Sequence, residues 1–183
     1  MKTRAFIAIN LPPKTKKQVQ ELTEEIKTQI NGEVRWVEPQ NFHFTLHFLG
    51  YLNDIQIKKT QEFLNRWTKD LPRTNIKISG FGVFPNIHAP KVFFLRGKER
   101  QNTLSNWQKY FSQKLDRIGI KTDQREWQPH LTFGRAEGKI VLPKNLIGKY
   151  GGKITFIVES IDLMKSELKR AGPIYTILQK YTL

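Results

Sequence analysis

The 183-residue chain has no cysteine, so neither disulfides nor thiolate chemistry is open to it. Acidic residues are few: 16 Asp and Glu stand against 31 Lys and Arg, for a formal net charge of +15. No apolar run approaches the ~20 residues that a membrane-spanning helix needs. The basic start Met1-Lys2-Thr3-Arg4 leads into an apolar stretch, Ala5 to Ile9, too short for a signal-peptide core. It meets Pro12-Pro13 with no small-residue cleavage pattern, so the chain is read as soluble and cytoplasmic. There is no phosphate-binding P-loop, which leaves ATP-driven ligation without a visible site. Gly80-Phe81-Gly82 lacks the third glycine and the following helix of a dinucleotide site.

What is present is a globular composition, 38% hydrophobic and 11% aromatic, with positive charge spread along it. Residues 1–91 carry 14 Lys and Arg against 8 Asp and Glu, and residues 92–183 carry 17 against 8. Such a field attracts polyanions, which places RNA or nucleotides ahead as partner. Solubility and high-temperature life are the competing explanations of a lysine-rich surface.

Patterning predicts an α+β fold. Residues 3–10 read as a buried strand, and Pro12-Pro13 opens a helix striped by Val19, Leu22, Ile26 and Ile30 that ends at Asn31-Gly32. Short strands follow at Val34–Val37 and from Phe42 to Leu49, the second stopping at Gly50. A helix from Asn53 or Asp54 to Lys69 carries Ile57, Thr60, Leu64 and Trp67 on one face. Strands at Ile76–Val83 and Lys91–Arg96 flank a loop. A third helix, Glu99 to Ile118, turns Leu104, Trp107, Phe111, Leu115 and Ile118 inward. Gly138 to Gly152 is loop, then strands close the chain, with Arg170-Ala171-Gly172-Pro173 as a hairpin turn. Each half alternates strands with helices, and no linker is long enough to separate them. The expectation is one bilobal domain over 1–183: two pseudo-symmetric lobes, each a small antiparallel-rich sheet backed by helices, around a central cleft.

One short pattern occurs twice. His43-Phe44-Thr45-Leu46 and His130-Leu131-Thr132-Phe133 lie 87 residues apart (130 − 43), about half the chain. On a strand, His and Thr share one face while the apolar pair shares the other. The apolar residues anchor each strand to its core, and His and Thr project into the cleft. Two imidazoles can divide general acid from general base near neutral pH, and a threonine hydroxyl can donate to a phosphate oxygen. Two such pairs would bracket one phosphate, as in-line displacement requires. Spacing alone assigns neither role to a particular histidine.

These tetrads, set in Phe42-His43-Phe44-Thr45-Leu46-His47-Phe48-Leu49-Gly50 and Pro129-His130-Leu131-Thr132-Phe133-Gly134-Arg135, resemble the two-histidine (2H) phosphoesterase superfamily. More closely, the chain resembles the bacterial and archaeal RNA 2′,3′-cyclic phosphodiesterases, once called 2′-5′ RNA ligases. The likeness extends to Arg4-Ala5-Phe6-Ile7-Ala8-Ile9-Asn10-Leu11-Pro12, Trp36-Val37 with Asn41, and Gly172-Pro173-Ile174-Tyr175. Phe133 stands where an aliphatic residue is more usual. The resemblance implies a bilobal fold, no metal or cofactor, and hydrolysis of a 2′,3′-cyclic phosphate RNA end to a 2′-phosphomonoester. It implies His43 as general acid toward O3′, His130 as general base for water, and Thr45 and Thr132 on the non-bridging oxygens. It also implies Arg135 at the phosphate and Phe48, at the same offset from His43, at the terminal nucleoside. Strict alternation sends both to the wrong face, so a bulge or strand end is required. Core packing remains the other reading of Phe48, and a surface cation that of Arg135.

His43 and His47 have the i, i+4 spacing of a helical metal pair, but the segment reads as a strand and Phe44 stands where the metalloprotease glutamate would be. Strand parity gives His47 the His43 face and a structural or groove-edge role. His88 sits in a loop, and Trp127 is open between core and RNA contact. Two alternatives stay beside the hydrolase: ATP-independent 2′-5′ end joining by the same histidines, and a non-catalytic RNA-binding domain. A monomer is expected.

Overall fold

A computed structural model describes residues 2–99, 101–123, 125–169 and 172–183; of Lys144 only the backbone is described. Among these residues nine strands form one sheet in the order β7-β4-β5-β6-β3-β1-β8-β9, with β2 added on β6, and every pairing is antiparallel. The strands are β1 (Thr3–Asn10), β2 (Val34–Trp36), β3 (His43–Leu52), β4 (Thr74–Phe84), β5 (Val92–Glu99), β6 (His130–Ala136), β7 (Thr155–Val158), β8 (Ser160–Lys169) and β9 (Gly172–Thr182). The helices are α1 (Pro13–Lys27), α2 (Asp54–Trp67) and α3 (Thr103–Arg117).

The two lobes are halves of this sheet. One runs β3-β1-β8-β9 and the other β6-β5-β4-β7. They join edge to edge at a single register pair, Phe44↔Leu131. Each of these residues is the second of its tetrad, so a pseudo-two-fold axis passes between equivalent positions.

The helices cover one face. Val19 and Ile26 of α1, Leu64 of α2, and Leu104, Phe111 and Leu115 of α3 are buried in one cluster with Phe44, Leu46, Leu131 and Phe133. Thus the apolar halves of both tetrads enter the core, as their parity requires. The helix α2 opens with a reciprocal capping box between Asn53 and Gln56. Among the described residues no helix is long and apolar enough to cross a membrane.

Of the element boundaries that differ from the sequence reading, two have a clear local cause. The strand β3 runs through Gly50 to Leu52. Gly50 takes a left-handed φ of 71° at an irregularity where Ala5 pairs with Gly50 and Phe6 with Phe48, which lets the strand continue. The helix α3 begins at Thr103, because Glu99 closes β5 and its carboxylate instead accepts the Leu104 and Ser105 N–H groups. Asn102, left-handed at the N-cap, makes no side-chain cap, so a residue from the preceding strand supplies it. The expected hairpin joins β8 to β9, ending on the pair Lys169↔Gly172. Arg170 and Ala171 of its turn lie outside the described residues.

Candidate active site

A cleft of about 540 Å³ opens on the face away from the helices, lined among others by His43, Thr45, Phe48, His130, Thr132 and Arg135. All six residues singled out from the sequence therefore meet in one place. Antiparallel register about Phe44↔Leu131 sets His43 toward Thr132 and His130 toward Thr45. The histidines then occupy a diagonal, roughly 7–8 Å apart in a regular ladder. That is the separation of the backbone positions, and both side chains line the one cleft.

Each ring is held in the same way. His43 Nδ1 lies 2.6 Å from the Asn41 carbonyl and His130 Nδ1 lies 2.7 Å from the Gln128 carbonyl. A carbonyl can only accept, so Nδ1 carries the proton in both neutral rings, and Nε2 carries the lone pair. The acceptor is in each case the residue two before the histidine, so the pseudo-symmetry reaches the tautomers. Aromatic rings fix the imidazole planes. Phe6 and Tyr175 lie 5.1 and 5.2 Å from His43, while Phe84 and Phe94 lie 5.2 and 5.5 Å from His130.

This walling has an electrostatic consequence. Burial, before any other cause, pushes the His43 imidazole down to about 4; the Asn41 carbonyl opposes this, and the Lys16, His130 and Arg135 charges add to it. His130 is also lowered, first by burial, with Gln128 opposing and Arg135 adding. Both rings thus favour the neutral state in the free site, and protonating either one requires a compensating anion.

Phe48 and Arg135 reach the cleft through matched bulges. On β3, Ile7 pairs with His47 and Ala8 with Thr45, leaving Leu46 as the extra residue. On β6, Phe93 pairs with Gly134 and Phe94 with Thr132, leaving Phe133. Both extra residues are the fourth of their tetrads, and each bulge reverses parity beyond it. Phe48 is 55% exposed, which excludes core packing. Arg135 is exposed within the cleft lining. Gly134 is required by packing: a Cβ there would lie 2.7 Å from the Trp36 ring, which stacks on Phe133 at 2° between planes.

The same bulge corrects His47. It does not share the His43 face but is buried on the reverse side, its Nε2 2.7 Å from the Gln108 carbonyl of α3. Trp127 is a tie between lobes, its Nε1 donating to the Thr45 carbonyl at 2.9 Å. His88 is exposed and lines a separate cavity with Arg96. Among the described residues no three His, Asp or Glu side chains gather as a metal-ion group would.

Sequence reasoning passed over Arg35, Lys16, Phe84 and the contact of Tyr175 with His43. Arg35 had a signal, a charge between the inward Val34 and Trp36. Lys16, whose Nζ donates to the Gln40 carbonyl at 2.6 Å and whose charge reaches His43, and Phe84, which lines the cleft, had none, since only the tertiary fold brings them near the histidines.

Comparison with known proteins bears on this site. Residues 9–94 and 97–175 match the family described as LigT-like phosphoesterase. The RNA 2′,3′-cyclic phosphodiesterase of Methanothermobacter thermautotrophicus is 32% identical, with all of both chains covered. That of Aquifex aeolicus is 34% identical over 98% of this chain and 97% of its own. A crystal structure from Thermus thermophilus superposes with a TM-score of 0.81 at 25% identity, covering 98% of this chain and 97% of that one. Escherichia coli LigT complexed with 3′-AMP gives 0.81 at 22% identity, covering 100% and 99%, and shares the fold.

Proposed function

We propose, from the premise that this chain belongs to the LigT-like phosphoesterase family, that it is an RNA 2′,3′-cyclic phosphodiesterase that needs no metal. The observation that carries the reading is the equivalence of the two histidines: same face, same backbone-fixed tautomer, diagonal across one cleft. The names of the relatives over the full length supply the substrate class.

In the proposed reaction the cyclic phosphate sits between the rings. Thr45 and Thr132 donate to its non-bridging oxygens, and Arg135 pairs with its charge. His130 Nε2, neutral, takes the proton of the attacking water. His43, protonated at Nε2, gives its proton to O3′ as the P–O3′ bond breaks, and a 2′-phosphomonoester remains. The incoming anion offsets the burial and the nearby cations that keep His43 neutral in the free site, so substrate binding itself charges the acid. Phe48 offers its exposed ring to the terminal nucleobase. Each lobe supplies one tetrad, so the whole chain works as one bilobal unit, and a monomer contains a complete site.

Turnover of an RNA oligonucleotide ending in a 2′,3′-cyclic phosphate, measured in excess EDTA, tests this. The expected result is undiminished hydrolysis. Binding without turnover would leave an RNA-binding domain, and activity abolished by EDTA would point to a metal enzyme.

A further inference from the structure

Next to the histidines, β2 and β6 bring two guanidinium groups together. The register is Val34↔Ala136, Arg35↔Arg135 and Trp36↔Gly134. Val34 and Trp36 close over Gly134 on the core side, so Arg35 shares the opposite face with Arg135, and both line the cleft. Like charges directly opposite on an antiparallel pair destabilise a sheet. Glu137 relieves part of this, its carboxylate 3.4 Å from Arg35 with both side chains half exposed. Glu38 adds a second carboxylate to the cleft lining and Lys169 a third cation, so with Glu137 paired to Arg35 the three cations still exceed the two carboxylates, and the guanidinium forks suit phosphate oxygens.

The two arginines do not serve the same anion equally. Arg35 faces position 135 on β6 whereas His43 faces position 132, with the bulge at Phe133 between the two levels. Arg35 thus lies further along β6 than the two histidines, away from the reacting phosphorus. A cyclic mononucleotide has no second phosphate to offer there, but an RNA end does, on the 5′ side of its last nucleoside.

We propose that Arg35, with Arg135 beside it, is a subsite for the internal phosphodiester preceding the terminal nucleoside, and so a determinant of preference for RNA ends over free cyclic mononucleotides. This rests on the RNA-end reading above and extends it.

Binding tests it without requiring turnover. Dissociation constants are measured for cytidine 2′-monophosphate and for the dinucleotide CpC bearing a terminal 2′-phosphate, with wild type, Arg35→Ala, Arg35→Lys and Glu137→Gln. The wild type should prefer the dinucleotide. Arg35→Ala should weaken the dinucleotide roughly tenfold, as expected for a charge-assisted bidentate contact, and at least fivefold more than the mononucleotide. Its salt slope for the dinucleotide should fall by about 0.7, the loss of one phosphate contact to a single strand. Arg35→Lys, which keeps charge but not the fork, should fall between, and Glu137→Gln should tighten the dinucleotide. Equal weakening of both ligands, no change in either, or a wild type that does not distinguish them would overturn the subsite. A wild type that binds the dinucleotide in this pattern but hydrolyses no cyclic phosphate would instead refute the enzymatic reading and leave the subsite standing.

Discussion

Between pH 6.5 and 8.5 the kcat/KM for a 2′,3′-cyclic phosphate should fall about tenfold per pH unit, while the descending limb of kcat lies at higher pH. The kcat/KM profile reports the free protein. There His43 is pushed down to about 4 and His130 lies below its ordinary 6.5. Above pH 6.5 the base is neutral throughout, so only the protonated fraction of His43 varies, by one decade per unit. Bound substrate adds a negative charge. At about 4 Å and an effective dielectric of about 20 it contributes about 4 kcal/mol. At 1.36 kcal/mol per unit this is about 3 pH units, and because the anion lies between the two rings it raises both imidazoles, so both limbs of kcat move above those of kcat/KM. Lys16→Met should shift the kcat/KM limb to higher pH, because it removes a like charge that lowers His43. Steady-state hydrolysis from pH 4.5 to 8.5 at constant ionic strength reads both limbs. A kcat/KM independent of pH from 6.5 to 8.5, or limbs of kcat and kcat/KM that fall together, would refute the reasoning.

The remaining predictions concern single side chains and overall stability. His43→Ala and His130→Ala should each slow turnover by roughly 10²–10⁴, the usual size of a general acid–base contribution, with RNA binding retained in filter assays; near-normal rates in either would remove that histidine from the chemistry. His47→Ala should cost about 2–4 kcal/mol in urea unfolding, from a cavity and an unpaired Gln108 carbonyl, with kinetic constants within twofold of wild type. Glu99→Ala should cost about 1–2 kcal/mol by exposing the first N–H groups of α3. Since His43, His47 and His130 are all lowered by burial, the unfolded chain binds more protons below pH 6.5. Stability should therefore be full above that pH and decline from 6.5 toward about 4, which thermal melts across the range will read.

The two tetrads could be read at once, because strand parity ties each histidine to a core-facing neighbour and nothing nonlocal is needed. The helices followed from stripes such as Leu104, Phe111 and Leu115, all fully buried in the structure. The positions of Phe48 and His47 were harder. Their faces depend on the bulge at Leu46, and that segment carries no glycine to announce it; simple alternation gives the wrong side for both. At Arg135 the following strand geometry had a cue, since Gly134 marks a close backbone approach. Arg35 and Tyr175 are cleft residues only through pairings made across the sheet, 35↔135 on one side and 166↔175 on the other. The cap of α3 by Glu99 escaped for a local reason: a glutamate just before a helical pattern reads as its first turn, whereas here it ends a strand.

The central claim, two imidazoles acting on one phosphorus from opposite sides, is tested most directly by the product of a single turnover in ¹⁸O-labelled water. An RNA of defined sequence ending in a 2′,3′-cyclic phosphate should yield only the 2′-monophosphate, carrying one labelled oxygen, in the presence of EDTA. A 3′-monophosphate, a mixture of the two, or an unlabelled product would contradict it.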